Sequence, residues 1–211
     1  MESTLRPLLA LELSCPSSTV ALGLPGGEVL ERGFGGERGR ALLAEVEALM
    51  AAAGLAPADL RAVVAGTGPG SYTGLRIACA AARTLGFALG VEVGGLCSFE
   101  AAALSAPAGS EIHLVLDAYR REVYHACYRR DADDVSVRQA LRVLPRDAAP
   151  AAVPAGALVL GDPALLGDAA AACRFLGESV SPSARQLLQL AEARGAAAWS
   201  PAEPLYLRAA R

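Results

Sequence analysis

The sequence predicts an α/β fold on mixed sheets, because strand-length apolar segments recur, helix-spaced apolar residues separate them, and the pattern restarts halfway along the chain. Three short strands come first: Leu8 to Leu13, Thr19 to Leu24 and Glu28 to Arg32. Gly26-Gly27 supplies the second turn, since glycine accepts positive φ without steric cost. From Arg40 to Ala53, Leu43, Val46, Leu49, Met50 and Ala53 recur at three and four residues, which predicts a helix with one apolar face closed by Gly54. Arg61 to Gly66 reads as a buried strand, and after a glycine-proline turn the apolar run Thr73 to Leu89 reads as a helix.

Three strands, helix, strand, helix is the order of a ribonuclease-H-like unit. The second half repeats the opening, with strands at Ile112 to Asp117, Glu122 to Arg129, Val137 to Leu144 and Ala157 to Leu160, and a late helix from Ser183 to Arg194. No sequence repeat accompanies it, so the duplication rests on pattern alone. Ala106-Pro107-Ala108-Gly109 interrupts the pattern and divides the chain into lobes 1–105 and 106–211. The alanine- and proline-rich stretch Asp147 to Gly156 reads as a loop.

Composition narrows the function classes. Lys+Arg 19 against Asp+Glu 22 gives a net charge of −3, whereas a protein that grips nucleic acid alone usually has a basic surplus. Any RNA contact is therefore expected through another subunit. Hydrophobic residues make up 53% of the chain, but charges and glycine clusters interrupt every long apolar run, so no membrane span is expected. Met1 to Pro7 lacks a basic start with a long apolar run, which reads as cytoplasmic. Cys15, Cys79, Cys97, Cys127 and Cys173 form no Cys-x-x-Cys pair and are expected as buried free thiols.

The loop Gly66-Thr67-Gly68-Pro69-Gly70-Ser71-Tyr72-Thr73-Gly74 fails both standard phosphate-loop tests. Ser71 and Thr73 stand where a dinucleotide fingerprint needs glycine, and the lysine of a nucleotide P-loop is missing. A tight turn with Ser71 or Thr73 as N-cap is the simpler reading. In the helix that follows, only Arg76 and Arg83 are charged, which leaves more apolar area than one sheet can cover. Small Ala78, Ala80, Ala81 and Ala82 allow close approach of a neighbour. The Arg40 to Ala53 helix alone is one candidate to cover it. The preferred reading is a helix pair that also meets a partner protein, its arginines reaching Glu45, Glu47 or acids across the contact.

Three segments carry a family resemblance: Gly68-Pro69-Gly70-Ser71-Tyr72-Thr73-Gly74-Leu75-Arg76-Ile77, Leu116-Asp117-Ala118-Tyr119-Arg120-Arg121-Glu122-Val123-Tyr124, and Glu203-Pro204-Leu205-Tyr206-Leu207-Arg208. They resemble the TsaB family, also called YeaZ, needed to form threonylcarbamoyladenosine beside the tRNA anticodon. The resemblance implies an actin- and hexokinase-like (ASKHA) fold of two ribonuclease-H-like lobes, the second reduced. It also implies a non-catalytic subunit that works with TsaD and the ATPase TsaE, pairs with itself when alone, and meets tRNA only through the complex. ATP and metal are then expected on the partner. The implied contact surface is Leu42, Glu45 and Leu49 of the first helix with Arg76, Ile77, Ala80, Ala81, Arg83 and Thr84 of the second. Three features depart from the family: Glu12 replaces an aspartate, which argues against a nucleotide-type role, Arg38 stands where many relatives have histidine, and the chain stops at Arg211 soon after the closing segment.

No catalytic constellation competes with this reading. His113 and His125 lie on predicted strands without a carboxylate pattern and read as structural histidines. Ser71 has no histidine base in its lobe. Asp117 and Glu122 have Arg120 and Arg121 beside them as ordinary ion-pair partners. The rival is a stand-alone ATPase or small-molecule kinase of the same fold. It needs a phosphate turn near Cys15 to Thr19 and a second at Gly161-Asp162-Pro163, where proline offers no amide.

Overall fold

The computed structural model describes residues 5–36 and 38–207. The Arg38 side chain and residues Arg208 and Arg211 lie outside the described residues. Two compact units emerge, one from the described parts of Met1–Ala101 and Pro182–Leu205, the other from Ala102–Ser181.

The first unit runs β1 (Leu8–Glu12), β2 (Ser18–Gly23), β3 (Val29–Phe34), α1 (Arg38–Ala52), β4 (Ala62–Gly66), α2 (Tyr72–Leu89) and β5 (Glu92–Leu96). The short helix α3 (Ser98–Ala103) follows. Its sheet has the order β3-β2-β1-β4-β5, with β1 antiparallel to β2 (Leu9↔Leu22) and parallel to β4 (Leu9↔Val63). All five residues of β1 are buried, so both faces of the sheet need cover. On one face Leu9, Leu11 and Leu13 meet Leu42, Val46, Leu49 and Met50 of α1 and Ala78, Cys79 and Ala82 of α2. Gly54 ends α1 as expected: the Leu55 amide donates to Met50 and the Gly54 amide to Ala51, leaving Gly54 at φ 66°.

The second unit contains β6 (Glu111–Asp117), β7 (Glu122–Arg130), β8 (Val135–Pro145), α4 (Ala149–Ala152), β9 (Leu158–Gly161) and β10 (Arg174–Gly177). Its sheet order, β10-β9-β6-β7-β8, repeats that of the first unit. Again the first strand is antiparallel to the second (Ile112↔Tyr128) and parallel to the fourth (Ile112↔Leu158). The helices are what shrank. Where the first unit has the 15-residue α1, the second has a 3-10 turn at Arg146–Ala148 and the four-residue α4. Asp147 to Gly156 is therefore partly helical, with Pro150 in the first turn, where its missing N–H costs nothing.

The lobe boundary differs from the sequence reading at both ends. The units divide at Ala101/Ala102, and α5 (Ala184–Arg194) with the segment after it joins the first unit, not the lobe 106–211. Helix α5 covers the second face of the first sheet, packing on β1 and β2. The Ala184 amide donates to Thr19 Oγ1 at 2.7 Å, and Arg194 Nη1 donates to Glu100 Oε2 at 2.5 Å. Arg6 reaches both carboxylate oxygens of Glu192, with Nη2 2.8 Å from Oε2. A Cβ on Gly23 would stand 2.9 Å from Leu188 Cδ1, so glycine lets the helix sit close. The apolar stripe of an amphipathic helix carries no mark of which sheet it will cover, which is why its position in the chain misled.

Candidate partner-binding face

Ser71 caps α2, accepting the Gly74 amide on Oγ at 3.3 Å, and Gly90 ends it in the left-handed region. The glycines before the helix serve close packing. A Cβ on Gly70 would lie 2.3 Å from the Ser14 carbonyl oxygen, the atom that accepts the Ser71 amide at 2.7 Å. A Cβ on Gly66 would lie 2.2 Å from Glu12 Oε2. The Gly68 amide donates to Ser98 Oγ at 3.1 Å. Two amides of this turn are thus committed inside the unit, which fits the tight-turn reading better than a phosphate cradle.

Glu12 is completely buried. Its Oε1 accepts the Ser14 amide at 2.7 Å and its Oε2 the Ser98 hydroxyl at 2.9 Å. Burial pushes the carboxyl above the ordinary range, and the hydrogen bonds from Ser14 and Ser98 only partly offset it. The carboxylate ties the end of β1 to the turn that launches α2 and to the start of α3.

Helix α2 turns Leu75, Ala78, Cys79, Ala82 and Gly86 inward. Outward it presents Tyr72, Thr73, Arg76, Ala80, Arg83, Thr84 and Phe87. Phe87 is 93% exposed, almost fully open to solvent. Helix α1 packs on the same face of the sheet, touches α2, and exposes Leu43.

The predicted contact residues divide sharply. Ala80, Thr84, Arg76 and Arg83 lie on the outward face. Leu42 and Leu49, each 2% exposed, belong to the core and cannot meet a partner. Ile77 and Ala81 are half-buried against that core. Glu45 is ion-paired to Arg32, while Arg83 stands 3.7 Å from Glu203 and Arg76 donates to Tyr72 Oη at 2.6 Å. The sequence reading sent these arginines to Glu45, Glu47 or acids across a contact; within the unit Glu45 is taken by Arg32 of β3, Arg83 has Glu203 near it, and Arg76 bonds Tyr72 of its own helix. Phe87, Tyr72 and Leu43 were missed. Phe87 was findable, since it lies four residues after Arg83 and therefore shares its face.

In the second unit His113 and His125 meet, Nδ1 of the first 3.1 Å from Nε2 of the second, with ring centroids 5.4 Å apart. Both are buried, as expected of structural histidines, but His125 Nδ1 has no hydrogen-bond partner among the described residues. Burial, the neighbouring His113 and Arg142 push His125 down to about 4. Among the described residues no group of three side chains could hold a metal ion.

The β6–β7 turn departs most from ordinary backbone. Tyr119, Arg120 and Arg121 have φ of 59°, 53° and 61°, three consecutive left-handed residues without a glycine. Such a conformation costs about 1–2 kcal/mol per residue. The Tyr119 amide donates to Asp117 Oδ1 at 2.7 Å and the Glu122 amide to the Tyr119 carbonyl at 3.0 Å. The ion pairs expected for Arg120 and Arg121 do not form among the described residues, because Asp117 faces the backbone of its own turn.

Two sheets of the same strand order, each β-β-β-α-β-like, define an α/β protein of the actin- and hexokinase-like (ASKHA) class. The family model "TsaD: tRNA N6-adenosine threonylcarbamoyltransferase" matches residues 39–150. The chain belongs to that family, and within it is TsaB-like. The solved structure of YeaZ from Pseudomonas aeruginosa superposes with a TM-score of 0.78 at 27% identity, covering 95% of this chain and 99% of that one. An uncharacterised protein of Mycobacterium tuberculosis is 47% identical over 87 residues, 41% of this chain and 40% of its own length. The tRNA threonylcarbamoyladenosine biosynthesis protein TsaB of Bacillus subtilis is 36% identical over 85 residues, 40% of this chain and 37% of that protein. The matched stretch thus spans about two fifths of these curated relatives.

Proposed function

We propose that this chain is the non-catalytic partner subunit in threonylcarbamoyl transfer to the tRNA adenosine beside the anticodon, acting in the cytoplasm with TsaD- and TsaE-type proteins. The observation that carries the reading is the outward face of α2, where Phe87 stands almost fully in solvent beside small Ala80 and Thr84. A bare aromatic ring on a rigid helix is the kind of anchor that dominates protein interfaces. The names of the TsaB relatives supply the reaction class. In the absence of the paralogue the same face pairs two copies of the chain.

Co-expression with the TsaD-type paralogue tests this. A stable complex that is lost with Ala80→Glu or Phe87→Asp supports it. A chain that ignores the paralogue yet binds ATP tightly and hydrolyses it in calorimetric titration overturns it in favour of the stand-alone ATPase.

A further inference from the structure

We infer that the β6–β7 hairpin tip, Tyr119-Arg120-Arg121, is a preorganised contact for the phosphodiester backbone and a base of single-stranded RNA. Two independent observations meet there. The backbone holds three non-glycine residues left-handed in succession, a strain that persists only where surrounding structure enforces it and that concentrates at functional sites. The same three residues are exposed, the Tyr119 ring by 77%. Their side chains therefore gain no burial in return for the strain. Arg120 and Arg121 form no ion pair among the described residues, although Asp117 and Glu122 stand on either side of them, and Asp117 is engaged with the Tyr119 amide.

An exposed ring beside two uncommitted guanidiniums matches what a flexible RNA strand offers, a π-face and a phosphate within one nucleotide. Guanidiniums bind phosphate oxygens in a fixed fork. Asp117 and Glu122 flank the tip, so it is a small contact and not a basic groove, which agrees with a chain of net charge −3 that leaves the main grip to a partner. The choice of RNA over an acidic protein segment rests on the function proposed above.

The test is fluorescence anisotropy with labelled bulk tRNA, using the chain in complex with its TsaD-type paralogue and, in a second arm at low salt, the chain alone. Arg120→Gly with Arg121→Gly removes both cations and relieves the strain. The double variant should melt about 2–4 °C higher for each kcal/mol relieved, while its RNA affinity falls tenfold or more. Its salt dependence should lose about 1.4 units of slope, ~0.7 for each single-strand phosphate contact. Arg120→Lys with Arg121→Lys should recover most of the affinity. Unchanged affinity and slope in the glycine variant, or no RNA binding by the parent in either arm, overturns the inference. So does weakened association with the paralogue at unchanged RNA affinity, which would make the tip a protein contact. Failure of the parent chain to join the paralogue would instead count against the proposed function, and the arm with the chain alone would still decide the tip.

Discussion

The buried carboxylate of Glu12 accepts the hydroxyl of Ser98 at 2.9 Å, joining residues 86 apart in sequence across the floor of the first unit. Ser98 Oγ in turn accepts the Gly68 amide, so one acid holds three chain segments. No cation faces it in these contacts, and burial raises its pKa. The sign follows: the folded state binds this proton more tightly than the unfolded chain, so the contribution is fully present below the unfolded value and is lost as pH rises through the folded one. Glu12→Gln keeps the shape without the charge. It should be at least as stable as the parent at pH 7, with a flatter pH profile above pH ~4, where the unfolded carboxyl titrates. A clear loss of stability at neutral pH would show that the charge itself is needed.

Gly66→Ala places a methyl group 2.2 Å from Glu12 Oε2, in a site with no room to shift. Overpacking of this kind should lower stability by about 1–3 kcal/mol in denaturant titration.

The histidine pair has the opposite sign. His125 is held down to about 4, against an ordinary 6.5, so the unfolded state binds the proton more tightly. Stability of the second unit should be full above pH ~6.5 and fall towards pH ~4, by at most about 1.4 kcal/mol per pH unit. His125→Gln should flatten that slope. An unchanged slope would assign the acid sensitivity to other groups.

On α2, Phe87→Ala should change stability by no more than about 0.5 kcal/mol, because the ring touches so little of its own unit. If it anchors a partner, the same change should weaken association by about 2 kcal/mol or more. Ala81→Arg should instead lower the melting temperature, since Ala81 packs against the core. Sedimentation and thermal melts on the two variants separate these effects.

Arg6→Ala would strand Glu192, whose carboxylate is mostly shielded from solvent. Removing one partner of such a pair should destabilise the first unit by about 3 kcal/mol. An effect under about 1 kcal/mol would place the pair with ordinary surface ion pairs.

The strands were legible because alternation and turn glycines are local signals. Segments at Leu8, Thr19, Ile112 and Glu122 all appear within a few residues of the observed bounds. The elements missed have their causes in tertiary contacts. Strand β5 contains Gly94 and Gly95, poor strand formers, and is completed from outside: Trp199 lies over Gly94, where a Cβ would come within 2.6 Å, and Ser200 bridges Gly95. Strand β10 is four residues long and gives periodicity little to act on. For the candidate face, the outward positions Arg76, Ala80, Arg83 and Thr84 could be read from helical spacing around the charges. Leu42 and Leu49 could not be separated from it, because the same apolar spacing serves a core and a contact surface alike.

The return of the final helix to the first sheet has an effect on biosynthesis. A ribosome releases the whole insert before it releases the strip that seals the rear of the opening sheet, so that rear face stays greasy and uncovered while the insert is being made. The sole tryptophan sits on that late strip. Its emission would therefore time the sealing event in a refolding experiment.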